Sequence, residues 1–271
     1  MTRFLQRAFS PSRLKLALIP SVMLLTLAFL LFAPEGLLGK ADAIAYAVCH
    51  RIDLRSYHIG DRPLPLCARC TGMYLGAMLG LAYQWLISKR SSATPPPRVI
   101  TGLIFLALAF AVDGINSYLT LFPNFPHLYP PHNSLRLFTG TGMGVVIAAM
   151  LYPAFHHTVW QEVSAEPALK NLRQLFALIA LAILVDLMVL TQNPLILYPL
   201  ALLSAAGVLA LLTIIYTMLW IIVLRRENLY VHWRQFSSFL IAGFGFALLQ
   251  ILLIDIGRFL LTGSWEGFHI G

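Results

Sequence analysis

Charged side chains are scarce in this chain of 271 residues: Asp, Glu, Lys and Arg make up only 11% of it, and hydrophobic residues make up 59%. A soluble domain has about 25% charged residues, so the composition excludes an ordinary soluble domain. The apolar residues form runs of roughly 20, long enough to cross a hydrocarbon core about 30 Å thick. The net charge of +8 does not indicate a nucleic-acid partner, because the distribution of the basic residues is typical of membrane topology. The partner that the composition indicates is a lipid bilayer.

Motifs of common enzymes are lacking as well. The sequence contains no Walker loop, no G-x-S-x-G, no H-E-x-x-H and no dinucleotide fingerprint. No strand-type alternation is strong enough to indicate a soluble β domain. We therefore predict an all-α, polytopic transmembrane helix bundle that forms a single integral membrane domain over residues 1–271. Its seven predicted spans are Leu14–Phe32, Cys70–Ile87, Val99–Phe122, Leu135–Tyr152, Leu172–Leu190, Tyr198–Leu224 and Phe239–Leu261.

The distribution of Lys and Arg predicts the orientation. The N-terminal tail and the second, fourth and sixth loops are basic, whereas the third and fifth loops and the C-terminal tail have no Lys or Arg. The positive-inside rule then places the N-terminus in the cytoplasm and the C-terminus outside, in the cell (inner) membrane. The first loop is also basic, but this majority places it on the extracytoplasmic side. A cleaved signal peptide is the alternative for the first span, and Phe32-Ala33-Pro34 is a poor cleavage site for one.

Cysteine is also rare, and the three cysteines all lie in the first loop and at the start of the second span. Cys67-x-x-Cys70 has the spacing with which two thiolates hold one zinc ion, and Cys49 is a third candidate ligand. We predict a Cys₃His site for zinc or another transition metal. The histidine candidates are His50, its alternative His58, and His127 or His132 from the third loop.

Other functions remain open for this loop. Cys67 and Cys70 at a helix N-terminus are typical of a quinone-linked membrane thiol oxidoreductase, although such proteins generally use a second cysteine pair that this chain lacks. A disulfide from Cys49 to either of them would staple the loop and leave one thiol over. A further alternative is an auxiliary or assembly subunit of a larger membrane complex.

Ionisable residues inside apolar spans are costly and indicate function. In the predicted topology they all fall in the outer half of the membrane, so we predict a polar cavity that opens outward beneath the cysteines. Its residues are Arg69, Tyr74, Asn116, Asn133, Thr139, Asp186, Asp255 and Arg258. If the protein is a metal-dependent enzyme acting at the outer leaflet, Asp113 is the general-base candidate and Arg136 or Arg258 holds an anionic group. We expect Asp113 to meet Arg136, and Asp255 and Arg258 are spaced to form an ion pair.

Small residues predict how two spans pack. The second span has Gly72, Gly76 and Gly80 at four-residue spacing, and the fourth has Gly140 and Gly144. Such faces let helix backbones approach closely, so we expect these two spans to pack tightly, and packing on each other is one arrangement that would use both faces. The short apolar stretch 41–48 cannot cross a membrane and is predicted to be an interfacial or re-entrant helix that delivers Cys49 to the surface.

The cysteine segment resembles an uncharacterised family of predicted bacterial and archaeal multi-pass membrane proteins. Members share a Cys-His … Cys-x-Arg-Cys-Thr-Gly signature, which corresponds here to Cys49-His50 and to the stretch from Cys67 to Gly72. Asp113-Gly114 and Asn133-x-x-Arg136-x-x-Thr139-Gly140 look like further family elements. The resemblance covers residues 44–152, and the spans in 153–271 are an addition or a divergent part. It implies a shared membrane site and supplies no activity, substrate or cofactor.

Overall fold

The computed structural model describes residues 11–120, 122 and 126–265, with side chains from residue 17 onward. The basic tail at 1–10 and the C-terminal residues 266–271, which the sequence places on opposite sides of the membrane, lie outside the described residues. The helices found in the described part are α1 Pro11–Phe32, α2 Gly36–Tyr46, α3 Ala68–Ile87, α4 Pro97–Leu119, α5 Asn133–Val159, α6 Leu172–Leu190, α7 Pro194–Val223 and α8 Trp233–Thr262.

The strands of the described part are short. β1 (His58–Ile59) pairs antiparallel with β2 (Arg62–Pro63) in the loop that follows α2, and Asp53–Arg55 forms a 3₁₀ turn just before them. β3 (Ser91–Ala93) pairs in parallel with β4 (Ser164–Pro167). The all-α bundle predicted from the sequence is therefore confirmed, with two small β pairs added in loops.

Each of the seven predicted spans corresponds to a helix. Five helices of the described part, α4 to α8, are long and apolar enough to cross a membrane. The count rises to six if α1, taken from residue 17, is joined with α2, which turns from it by 110°. A helix does precede Cys49, as the sequence predicted over 41–48, but its bounds are Gly36–Tyr46. Its interfacial or re-entrant position remains a prediction. The number of crossings and the orientation remain predictions.

The helix starts and stops follow from local sequence. Pro97 and Pro194 stand in the first turns of α4 and α7, where a missing N–H costs nothing. The side chain of Asn171 accepts a hydrogen bond from the N–H of Gln174 and caps α6. Large apolar side chains remain exposed on the outer faces of the helices, as expected for a protein that contacts lipid.

The closest helix pair is α3 with α5, and glycine makes the approach possible. A Cβ on Gly140 would lie 2.1 Å from the carbonyl oxygen of Arg69, and one on Gly144 would lie 2.1 Å from that of Met73. The reverse holds for Gly76, where a Cβ would come within 2.4 Å of the Thr141 carbonyl. The predicted glycine faces are confirmed, and they pack on each other.

The two ends of the bundle differ in chemistry. We call "the cysteine end" the end that holds Cys49, Cys67, the first turns of α3 and α5, and the last turns of α4 and α8. The opposite end has an aromatic cluster that includes Trp160 and Phe236, with Arg90 stacked 4.1 Å from the centre of the Trp160 ring. Most of the basic loop residues that define the predicted cytoplasmic side belong to this opposite end.

Candidate metal centre

The three thiol sulfurs meet at the cysteine end. Their Sγ atoms all lie within 4.8 Å of one another. Cys49 follows α2, Cys67 is the N-cap of α3, and Cys70 lies in the first turn of α3. Cys49 and Cys67 are buried, Cys70 is half-buried, and all three are free thiols. The segment after α2 and the first turn of α3, which one loop connects, therefore bring three sulfur ligand atoms together.

Backbone donors surround the Cys49 sulfur. It accepts the N–H of Cys67 at 3.4 Å and the N–H of Arg51 at 3.5 Å. The pKa of Cys49 lies well below its ordinary value, first because the Cys67 and Cys70 thiols donate hydrogen bonds to it. The pKa of Cys67 is raised, first by that same hydrogen bond to Cys49. The cluster therefore favours a thiolate at Cys49, and a thiolate is the form that binds metals.

The predicted histidine ligands do not join this cluster. In the described part of the chain no histidine nitrogen or carboxylate oxygen completes the group of ligand atoms within 4.8 Å. The His50 Nδ1 accepts the N–H of Ile52 at 3.0 Å, which puts the proton of a neutral ring on Nε2 and leaves no free lone pair. The His58 Nε2 lies 3.0 Å from Asp53 Oδ1. His127 and His132 lie outside the cluster, so the described residues supply three ligands.

Arg258 of α8 holds the segment that carries Cys49. Its guanidinium donates to the carbonyl oxygens of Tyr46 at 2.6 Å, Cys49 at 2.7 Å and His50 at 3.4 Å. It also stacks 3.9 Å from the centre of the Tyr46 ring. Next to it, Arg51 forms an ion pair with Asp42 at 2.8 Å. The last helix therefore fixes the position of the first cysteine, a role for Arg258 that the sequence did not indicate.

Asp113 is the centre of a separate polar network at the cysteine end. Its carboxylate forms an ion pair with Arg69 and accepts the hydroxyls of Tyr129 at 3.1 Å and Thr139 at 3.3 Å. The expected direct ion pair between Asp113 and Arg136 does not form, because each side chain has another partner. Arg69, in the first turn of α3, reaches the carboxylate, whereas Arg136 donates to Asn133 Oδ1 at 2.8 Å.

Two asparagines of the predicted cavity anchor loops. Asn116 donates to the carbonyl of Tyr129 at 2.9 Å and accepts the N–H of Leu128 at 2.7 Å, which ties the third loop to α4. The Asn133 amide donates to the carbonyl of Leu54 at 3.2 Å and to that of Ser56 at 3.4 Å. These hydrogen bonds to loop backbone give the amides at the ends of two apolar helices a structural role.

The other predicted cavity residues lie apart from this network. Asp186 accepts the hydroxyl of Thr141 at 2.6 Å, on a different face of α5 from Thr139. Asp255 is buried beside a cavity of about 360 Å³ lined mainly by apolar side chains of α1 and α8. Tyr74 packs on the apolar cluster that contains Cys49. The described residues therefore form several polar groups at one end of the bundle.

The part of the chain that carries the cysteines is similar in sequence to known proteins. Residues 49–150 match the family model described as "Predicted membrane protein (DUF2085)". An uncharacterised protein of Methanocaldococcus jannaschii is 28% identical over 120 residues, which cover 44% of this chain and 71% of that protein. An uncharacterised protein of Methanothermobacter thermautotrophicus is 28% identical over 103 residues, 38% of this chain and 83% of that protein. No solved structure matches. The resemblance predicted from the cysteine signature is confirmed for this segment.

Proposed function

We propose that the protein is an integral membrane metal-binding protein in which Cys49, Cys67 and Cys70 hold one zinc-like ion. The observation that supports this most is the convergence of three sulfurs within 4.8 Å. Around a tetrahedral zinc with bonds of about 2.3 Å, thiolate sulfurs stand about 3.8 Å apart. A small contraction of the observed cluster meets that requirement. The soft ligand set selects zinc or a similarly thiophilic metal.

The same geometry weighs against the two thiol alternatives. A disulfide joins two sulfurs at about 2.05 Å and gives the third no role. A thiol oxidoreductase that uses Cys67 and Cys70 likewise leaves Cys49 as a spectator or a resolving thiol. A metal uses all three sulfurs and the backbone donors that favour a thiolate at Cys49.

Three ligands from the described residues leave a fourth position for a water, a substrate group or another ligand. An open position is typical of catalytic zinc, and a closed one of structural zinc. In this proposal the site is catalytic, and the protein carries out a metal-dependent reaction at the outer leaflet. The hydrogen-bonded Asp113 acts by positioning Arg69, in place of the general-base role predicted for it, because its oxygens are already engaged.

We place the site on the extracytoplasmic side of the cell (inner) membrane. The support is charge: the end opposite the cysteines holds most of the basic loop residues, and the positive-inside rule puts such an end in the cytoplasm. The lipid bilayer is the one partner that the apolar outer faces require. Binding to the subunits of a membrane complex remains an alternative that co-purification would reveal.

Alkylation of the thiols tests the metal against the disulfide. Purified full-length protein is denatured without reductant and treated with a maleimide of known mass. A metal site leaves three alkylated cysteines, and in the native state their protection is lost when a chelator is added. One alkylated cysteine in the denatured protein would show a disulfide and would reject the metal proposal.

A further inference from the structure

Three arginine side chains converge beside the thiol cluster. Arg55 and Arg69 both donate to Ser117 at the end of α4, the first to its carbonyl at 3.3 Å and the second to its hydroxyl at 3.0 Å. Arg136 is held by Asn133, whose amide bonds the carbonyls on either side of Arg55. Three guanidiniums from a loop, α3 and α5 therefore share one corner of the cysteine end.

The positive charge of the three arginines at this corner exceeds the negative charge near it, even when the Cys49 thiolate is counted together with Asp113. Asp113 forms its ion pair with Arg69, and among the described residues no carboxylate lies within 4.0 Å of Arg55 or Arg136. Asp53, the nearest acid along the chain, pairs with His58. His50 also faces the group: its pKa is lowered first by burial and further by the charges of the three arginines, against the Cys49 thiolate.

The surroundings of this corner disfavour the positive charges of its arginines. Arg69 and Arg136 lie in the first turns of long helices, where the macrodipole is positive and disfavours a cation. Arg136 is 6% exposed, so solvent screens its charge poorly. The Nε–H groups of Arg69 and Arg136 are buried and donate to no acceptor among the described residues. An anion seated here would relieve the charge and the orientation of both helices would favour it.

We propose that Arg55, Arg69 and Arg136 bind one tetrahedral oxyanion of the phosphate class. Guanidinium groups bind phosphate oxygens through two parallel hydrogen bonds, and phosphate offers enough oxygens for three such partners. The corner lies at an end of the bundle, and Arg55 and Arg69 are half-buried there, so the phosphate of a lipid headgroup and that of a dissolved compound are both candidates. This inference goes beyond the metal site, because it uses other residues and does not require a metal.

Calorimetric titration of the full chain tests the proposal. Protein in an uncharged detergent is titrated with inorganic phosphate at constant ionic strength in one arm. In the second arm it is titrated with phosphatidic acid in mixed micelles, against phosphatidylcholine micelles as the blank. Both arms are repeated after chelator treatment. The variants are Arg55→Gln, on the half-buried loop, and Arg136→Gln, with Arg234→Gln as an exposed control at the opposite end.

The expected result is saturable binding that persists after chelation. Each of the two site variants should weaken it by about tenfold or more, because charge-assisted hydrogen bonds are lost, and Arg234→Gln should leave it unchanged. Binding in the first arm alone identifies a dissolved phosphate compound, and binding in the second arm identifies a headgroup. No saturable binding in either arm, or equal binding by Arg55→Gln and Arg234→Gln, would overturn the proposal. Loss of binding only after chelation would assign the anion to the metal instead.

Discussion

Replacement of Gly140 by alanine should disturb the site without touching a ligand. The added Cβ would lie 2.1 Å from the carbonyl oxygen of Arg69 and 3.2 Å from its Cα. These are backbone atoms of α3, so no side-chain rotation can make room. Because real Cβ contacts essentially never fall below 3.0 Å, α3 and α5 must separate by about 1 Å. Such overpacking costs about 1–3 kcal/mol.

The displaced turn of α3 begins at Cys67 and includes Cys70, so metal binding should weaken together with stability. Reversible unfolding of Gly140→Ala in mixed micelles gives the free energy of unfolding, and elemental analysis of the folded fraction gives the metal content. Gly257→Ala is the matched control: it is also in a helix interior, and nothing lies within 4 Å of its added Cβ. Equal stability and metal content in the two variants would refute the packing argument.

Three other predictions concern the contacts at the cysteine end and the orientation of the bundle. Asp113→Asn should lower the free energy of unfolding by about 3 kcal/mol, since it leaves the Arg69 charge without its buried partner; a loss within error of zero in chemical denaturation would contradict the network. Arg258→Met should fold yet bind zinc about 10–100-fold more weakly in a chelator competition, because the Cys49 carbonyl loses its donor; unchanged affinity would remove that role. An impermeant maleimide should label Asp61→Cys in intact cells and Glu162→Cys only after permeabilisation, since these exposed positions lie at opposite ends; the reverse pattern would invert the orientation.

Several features of the fold were predictable because they depend on local sequence. Apolar runs of helical length give the helices, and breaks such as the one between Phe32 and Gly36 give their ends. The four-residue spacing of glycines predicted the α3–α5 contact because, in an apolar helix, a row of small residues allows the backbone of another helix to approach closely. The meeting of three cysteines was predictable because all of them lie within one loop and the turn that follows it.

The partners of long side chains were not predictable in the same way. Asp113 was expected to meet Arg136, but Arg69 from the first turn of α3 pairs with it, and which side chain reaches the carboxylate depends on the rotation of α3 about its axis. Arg258 was expected beside Asp255 by spacing along one helix, yet it donates to the carbonyls after α2, more than two hundred residues earlier. The hydrogen bond from the Ile52 N–H to His50 Nδ1, which removes that ring as a ligand, had no visible signal in the sequence.

The metal content of the purified protein tests the central proposal most directly. Full-length protein, prepared without added metal or chelator, is measured by elemental analysis next to Cys67→Ser, with Arg234→Gln as the control. We expect about one zinc or similar thiophilic metal per chain in the wild type and the control, and its loss in Cys67→Ser. Wild-type protein that contains no transition metal, or a content that Cys67→Ser does not change, would contradict the proposal.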